Sequence, residues 1–178
     1  ANTTGTFNVG VGQGSLASNT TASNNTAVGK SALQANTTGT ENVAIGTQSC
    51  DAGTTASYNT ALGFDTLSAN VLGSRNVAIG RSALQVMNPA SAVNTYNVAV
   101  GFSAGELVTT GVENTIIGAL AGDALTDADG NVALGTYALS TDTLGSRAVA
   151  IGHGALLTQN FTSATNNYNV GVGHSAGR

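Results

Sequence analysis

The sequence predicts an all-β protein, a parallel β-solenoid of ten roughly 17-residue coils. A pentad of Asn, Val or Thr, a small residue, an aliphatic residue and Gly recurs ten times in 178 residues, at spacings of 17 or 21. The pentad alternates bulky and small side chains with the two-residue period of a strand. A 17-residue unit is too short for a two-helix repeat, and its Asn, Thr and Gly content disfavours helix.

Each position of the repeat has its own chemistry. The closing residue of the pentad is Gly in every copy, as expected where the backbone takes positive φ or packs closely. Four residues after this Gly stands Leu in six copies, Gly in three and Cys50 in one. Cys50 therefore fits a core position, because a buried free Cys behaves as a small hydrophobe. We expect a second short strand through segments such as residues 82–84, with turns rich in Asn, Thr and Gly. The pentads start at Asn8, Asn25, Asn42, Asn59, Asn76, Asn97, Asn114, Asn131, Ala148 and Asn169.

Stacking of the coils would put equivalent residues in vertical columns, with Val43 and Thr60 on neighbouring coils. At a strand spacing of about 4.8 Å, ten coils make a rod about 45–50 Å long. The pentad strand has one bulky face and one nearly bare face, and the sequence leaves open which of them lines the interior. Each coil supplies few large apolar groups, so we expect a homo-oligomer in which the other face approaches a neighbouring chain.

We expect residues 1–178 to form a single β-solenoid domain that is a segment of a longer array. The two 21-residue spacings arise because residues 86–96 and 158–168 carry four extra residues, which form loop extensions that leave the stack intact. Neither end has the polar cap of a terminal solenoid repeat. The residues after Asn169 and before Asn8 also make up one further 17-residue spacing.

Composition argues against several classes of function. The net charge is −4, from 5 basic and 9 acidic residues, and the basic residues are scattered, so we expect no nucleic-acid partner. One Cys gives no disulfide framework and no metal-type Cys spacing. No apolar run is long enough to cross a membrane, so we expect no membrane insertion. No catalytic constellation emerges, and we expect neither an enzyme nor a cofactor.

The repeat resembles a known class of surface fibre. The pentad NVAIG at residues 76–80, followed by SAL at 82–84, is similar to the head repeats of trimeric autotransporter adhesins. NTAVG at 25–29 with NTTG at 36–39 is similar to repeat arrays of phage tail fibres and bacterial surface fibres. The resemblance implies a left-handed β-roll, three chains side by side and an extracellular place on a cell surface or virion. The 17-residue coil is longer than the usual adhesin-head coil, and Val or Thr follows the Asn.

Two columns carry candidate ligand-binding side chains. The residues before successive pentads include Glu41, Tyr58, Arg75, Tyr96 and Glu113, which we name the tyrosine ladder. The column after the closing Gly includes Phe64, Arg81 and Phe102, the phenylalanine ladder. Cation–π and charge pairing along the rod account for both ladders. Rows of aromatic and charged side chains are also what a glycan-binding strip uses.

Two further motifs have alternative interpretations. His153 and His174 follow the closing Gly in adjacent coils and would lie about 5 Å apart. They are most simply exposed side chains, with a metal-binding or pH-sensitive cluster as the alternative. Asp127 and Asp129 in DALTDADGN resemble half of a calcium loop, but the closing Glu of an EF-hand is missing. An Asp-Gly turn is the simpler interpretation, and no metal site is predicted.

These observations favour a non-enzymatic segment of an extracellular trimeric fibre, an adhesin head or tail-fibre shaft. It would be a rigid rod that presents loops and side-chain ladders for attachment to a surface or glycan receptor. The alternative is a structural filament of subunits stacked head to tail. Ice binding is a weaker hypothesis, because adjacent Thr residues such as Thr37 and Thr38 point to opposite faces and only one column can face outward.

Overall fold

A computed structural model describes residues 2–178 and shows an all-β parallel β-solenoid of about ten turns, with about 17 residues per turn. The strands are β1 Val9–Val11, β2 Thr26–Val28, β3 Val43–Ile45, β4 Thr60–Leu62, β5 Gly73–Ser74, β6 Val77–Ile79, β7 Val93–Asn94, β8 Val98–Val100, β9 Thr115–Ile117, β10 Val132–Leu134, β11 Gly145–Ser146, β12 Val149–Ile151, β13 Thr165–Asn166 and β14 Val170–Val172. Each pentad contributes one strand of a ten-stranded parallel sheet, in the order β1-β2-β3-β4-β6-β8-β9-β10-β12-β14. Two further sheets of two strands each pair β5 with β7 and β11 with β13.

The register of the sheet confirms the predicted stacking. Val43 pairs with Thr60, and Thr60 pairs with Val77, so equivalent residues of successive pentads occupy one column. The longer connections do not shift this register, since Val77 pairs with Val98 and Val149 with Val170. Each longer connection instead pairs locally with the preceding coil, β7 with β5 and β13 with β11, as expected of local loop extensions.

The small residues of the pentad face the interior, which settles the question that the sequence left open. Ala44 and Ala61 at the centres of β3 and β4 are fully buried, whereas Val43, Ile45 and Leu62 beside them are exposed. The coil is thin because its sheet contributes mostly methyl groups to the core. The larger core side chains come from the Leu column, such as Leu67, and from other positions in the turns and strands, such as Met87 and Ile116.

The second predicted strand, through segments such as residues 82–84, does not form. Ser82 and Leu84 have φ of 58° and 49°, in the left-handed region that interrupts an extended strand. Hydrogen bonds between coils nevertheless continue here, because the Leu84 N–H donates to Ala104 O at 3.1 Å and the Ser82 N–H to Phe64 O at 3.0 Å. The prediction of a second strand was wrong because backbone hydrogen bonds between coils form at Ser82 and Leu84 without extended dihedrals.

Buried asparagines join successive coils. The Asn59 N–H donates to Asn42 Oδ1 at 2.9 Å, and the Asn76 N–H donates to Asn59 Oδ1 at 3.0 Å. The Asn59 side-chain amide also donates to Gly73 O at 3.0 Å. The first residue of the pentad is therefore Asn because its amide satisfies backbone groups of two neighbouring coils in the interior. Where Ala148 replaces it, the Asn169 N–H bonds to Asn167 Oδ1 instead.

Candidate interaction surfaces

The outward side chains of the ten pentad strands form a continuous surface that we name the aliphatic face. Val43, Ile45 and Leu62 are 36%, 38% and 43% exposed, and none of the twenty positions is charged or buried. Seventeen of the twenty are Val, Ile or Leu and three are Thr. The aliphatic face consists of Val9, Thr26, Val43, Thr60, Val77, Val98, Thr115, Val132, Val149 and Val170 in one column and Val11, Val28, Ile45, Leu62, Ile79, Val100, Ile117, Leu134, Ile151 and Val172 in the other.

Sequence reasoning assigned one face of the pentad strand to a neighbouring chain but did not determine that this is the aliphatic face. The signal was present, since aliphatic residues alternate with Ala or Gly in nearly every copy of the pentad. What the sequence could not supply was the direction, because either face of a strand can line a core. A continuous apolar patch on a thin rod is larger than the scattered exposed apolar residues of an ordinary monomer, and such patches mark interaction sites.

The tyrosine ladder lies beside one margin of this sheet. Every member, from Glu41 to Glu113, is exposed and has φ between 51° and 65°, so each side chain sits at a left-handed corner just before a strand. The Arg75 guanidinium lies 4.5 Å from the centroid of the Tyr58 ring. The predicted contact with the second ring is not seen: within residues 2–178, Tyr96 makes no cation–π contact with Arg75. The ladder thus holds one cation–π pair.

The phenylalanine ladder lies beside the other margin. The Arg81 guanidinium lies 5.9 Å from the Phe64 ring centroid and 5.7 Å from that of Phe102, so the predicted stack of three side chains is present. Phe64 and Phe102 are 46% and 48% exposed. Both ring–cation distances are near the outer limit of about 6 Å for an effective cation–π contact. The guanidinium is therefore held loosely between two exposed rings.

The two histidines stack as the spacing predicted. The His153 and His174 ring centroids are 5.2 Å apart with an interplanar angle of 7°. Tyr137, which the sequence analysis did not select, meets His153 edge-on at 5.9 Å. All three side chains are exposed. The position of Tyr137, one coil before His153 and one residue further along the turn, was the signal for this contact.

Asp127 and Asp129 bind groups on neighbouring coils. The Thr110 hydroxyl donates to Asp127 Oδ1 at 2.7 Å, and the Val112 N–H donates to Asp129 Oδ1 at 2.8 Å. These contacts fit the interpretation of the segment as a turn that is tied into the stack. No group of three or more His, Cys, Asp or Glu residues within the described part of the chain is arranged to hold a metal ion.

Cys50 lies in the core, as its place in the Leu column predicted. It is 3% exposed, and burial raises the pKa of its thiol to about 12, with the Asp51 charge adding to the shift. Burial also raises the pKa of Asp51, against the opposing effect of backbone hydrogen bonds and with the Asp65 charge adding to it. Asp123, at the equivalent place four coils later, has its pKa raised by burial in the same way, with Glu106 as the like-charged neighbour.

The two Thr columns point in different directions, as predicted. The hydroxyl of Thr37 donates to Thr54 O on the next coil at 3.1 Å, and that of Thr20 donates to Thr37 O at 3.1 Å. Thr38 and Thr55, one residue further along, are exposed. Only one Thr column is therefore directed outward, and its row is interrupted at Leu72.

Residues 2–178 form no cavity and contain no helix long and apolar enough to span a membrane. The aliphatic face and the two ladders at its margins are the most extended of the outward surfaces described above. No family model, no curated protein and no solved structure matches this chain.

Proposed function

We propose that the chain is a non-enzymatic segment of an extracellular homotrimeric fibre, an adhesin head or a tail-fibre shaft. The observation that carries the proposal is the aliphatic face. A rod that leaves two uncharged columns of Val, Ile and Leu directed outward gains free energy when that surface leaves water, because burial of apolar surface drives association.

A second copy of the same chain is the partner that fits this face best. Its columns repeat once per coil, and another rod with the same spacing keeps its side chains interdigitated along the whole length. With strands about 4.8 Å apart and about 3.3 Å per residue, the face covers roughly 45 Å by 10 Å. Two such faces in contact bury about 1,000 Å² in total, the lower limit for a specific interface. The face carries no charge whose burial would oppose this contact.

Three chains around one axis satisfy the same requirement with closed symmetry. Each rod has one aliphatic face, and a threefold arrangement directs all three faces to a common apolar centre. The resemblance to adhesin heads favours three chains over two, and it also favours a left-handed coil. In this arrangement the tyrosine and phenylalanine ladders lie at the margins of the contact, where they remain available for attachment to a surface or glycan receptor.

The oligomeric state tests the proposal directly. Light scattering on the purified chain is expected to give three times the mass of one chain. Ile45→Lys combined with Ile79→Lys puts two charges on the aliphatic face, and we expect this variant to run as a folded single chain. Thr38→Lys with Thr55→Lys is the matched control, because these side chains are exposed on another column, and it is expected to remain trimeric. A wild-type chain that stays monomeric at high concentration would refute the proposal.

A second candidate function is a filament of subunits stacked head to tail. The strands β1 and β14 are the outer members of the ten-stranded sheet, and each pairs with one neighbour within the described residues. Unpaired strand edges are templates for pairing with another chain. Sedimentation over a range of concentrations distinguishes the two candidates, because a filament lengthens with concentration and a trimer does not.

A further inference from the structure

We propose that the phenylalanine ladder binds an acidic polysaccharide, one that carries carboxylate or sulfate groups along its chain. This inference rests on the proposed function, in which the rod attaches to a receptor, and it names the chemical class of that receptor. Two observations carry it: Arg81 is a cation without an anionic partner, and it lies between two exposed aromatic rings at the spacing of the coils.

Arg81 is exposed and has no anionic partner among the described residues. Within residues 2–178 its guanidinium makes neither a salt bridge nor a side-chain hydrogen bond, and its described side-chain contacts are with the two rings at 5.9 and 5.7 Å. The nearby Asp65 carboxylate accepts a hydrogen bond from the Gln85 side-chain amide. The donors of Arg81 are therefore free to bind an external anion, and a guanidinium binds carboxylate or sulfate through paired hydrogen bonds.

The whole column around Arg81 lacks negative charge. It contains two fixed cations, Lys30 and Arg81, and no carboxylate, although the chain as a whole has a charge of −4. The charge of this column is therefore opposite to that of the protein and favours an anionic ligand, with Asp65, the residue after Phe64, as the opposing charge beside it. The column consists of Gln13, Lys30, Thr47, Phe64, Arg81, Phe102, Ala119, Thr136, His153 and His174.

The spacing of the ladder suits a linear saccharide. Adjacent coils are about 4.8 Å apart, comparable to the length of one sugar ring in an extended chain. Phe64 and Phe102 lie one coil below and one coil above Arg81, so a chain lying along the rod would place alternate sugars beside the two rings. The exposed ring edges offer apolar contact to the C–H groups of these sugars, and the acidic group of the intervening sugar would reach Arg81.

The tyrosine ladder lacks this combination and provides a matched comparison. Arg75 lies closer to its ring, 4.5 Å from the Tyr58 centroid, and contacts one ring rather than two. Glu41 and Glu113 belong to the same column and repel an anionic chain. We therefore expect acidic polysaccharide to bind at the phenylalanine ladder and not at the tyrosine ladder.

Calorimetric titration of the assembled protein with oligogalacturonate, and with its methyl-esterified neutral form, tests the inference. We expect binding of the acidic oligosaccharide to weaken by about tenfold or more in Arg81→Gln, because a charged hydrogen-bonded pair is lost. Phe64→Ala with Phe102→Ala should weaken binding of the acidic oligosaccharide as well. Arg75→Gln removes the same charge from the other ladder and is expected to leave the affinity within about twofold of wild type.

Absence of binding by the wild-type protein, or equal loss of affinity in Arg75→Gln and Arg81→Gln, would overturn the inference. Equal affinity for the neutral ester would also overturn it, because Arg81 would then play no part. Light scattering on the same samples separates this result from the proposed function. Intact trimers without binding refute only the ligand class, whereas a monomeric protein refutes the fibre itself.

Discussion

The coils of the N-terminal half and those around Ile116 have the same strand arrangement but fill their interiors with different side chains. In the coil that starts at Asn25, Leu33 and Asn36 are buried together. In the coil that starts at Asn97, the equivalent residues are Gly105 and Val108, which are also buried. The large apolar side chain thus lies in the column of Leu33 in the first coil and in the column of Asn36 in the second, where Val108 replaces the polar side chain.

Ile116 explains how the second arrangement fills the space. A Cβ atom added at Gly105 would lie 2.9 Å from Ile116 Cδ1 and 3.1 Å from Leu84 Cδ2. Ile116, which stands where other coils have Ala or Gly, therefore occupies the volume that a Leu at 105 would need. The comparison shows that the size of a side chain in one column can change when a side chain on the neighbouring coil changes in the opposite sense. The total filled volume stays the same, because a close-packed interior tolerates neither a void nor an overlap.

The largest loss of stability is expected from substitution of the closing Gly of the pentad, a position at which the two regions do not differ. Gly63 has φ of 146° and Gly118 has φ of 136°, and a Cβ on either would lie 2.5 Å from a backbone atom of the Gly one coil later. We expect Gly63→Ala and Gly118→Ala each to lower the free energy of unfolding by about 3–5 kcal/mol in thermal or urea unfolding.

Gly130→Ala is the control for this prediction. Gly130 also has positive φ, 65°, but its nearest neighbour is Arg147 Cγ at 3.8 Å, so the added methyl group meets only backbone strain. A cost of about 1 kcal/mol is expected. If Gly63→Ala proved as mild as this control, close approach between coils would not be the reason for the Gly column.

Substitutions at Ile116 and Gly105, which share one volume of the core, are expected to give the next largest loss of stability. Ile116→Ala should destabilise by about 2–4 kcal/mol because it leaves a cavity, and Gly105→Leu by about 1–3 kcal/mol because it overpacks the same space. The double variant restores the Leu and Ala of the N-terminal coils at these two positions, with Val108 unchanged, and should be more stable than the sum of the two single effects predicts. Strict additivity in a double-mutant cycle would show that the two positions do not share a volume.

The polar and apolar interiors should not be interchangeable at single positions. The Asn36 side-chain amide donates to Gly39 O at 3.0 Å and to Asn19 Oδ1 at 3.2 Å. Asn36→Val is expected to cost about 1–2 kcal/mol, because the Asn19 acceptor is left unpaired in the interior. The reverse change, Val108→Asn, buries an amide among apolar groups and is also expected to destabilise, by about 1–3 kcal/mol. Stabilisation by either change in chemical unfolding would contradict this account.

The smallest effect concerns two equivalent carboxyls, Asp51 in the first region and Asp123 in the second. The pKa of each is raised in the folded protein, chiefly by burial. A raised pKa stabilises the fold below the unfolded pKa, and this contribution is lost as pH rises through the folded pKa. At pH 7 we expect Asp51→Asn and Asp123→Asn each to stabilise by up to about 0.5 kcal/mol.

This gain should fade in unfolding experiments at pH 3, where the wild-type carboxyls are themselves protonated. Similar gains at the two positions would show that the corner carrying the Asp is alike in both regions. A gain at pH 7 that persisted unchanged at pH 3 would show that ionisation of the carboxyls is not its cause.

The strand positions and their register could be predicted from the sequence, because identical spacing forces Val43 and Thr60 into one column once coils stack. The place of Cys50 in the core followed from the same alignment. The strand expected at Ser82 and Leu84 could not be corrected from sequence, since non-Gly residues rarely adopt left-handed dihedrals. The stack of Arg81 between Phe64 and Phe102 followed from the columns, whereas the missing contact of Arg75 with Tyr96 depends on side-chain directions that spacing does not fix.

The sequence alone determined the repeat, its period and the identity of each column, because these are properties of the order of residues. Only the tertiary structure decided that Ala44 and its equivalents face inward and that Val43 and Ile45 face outward. Successive side chains of a strand point to opposite faces, so the pattern alone does not say which face is the inner one. The closed coil has a narrow interior, which leaves room for methyl groups but not for two columns of Val and Ile. That choice creates the aliphatic face, on which the proposed assembly depends.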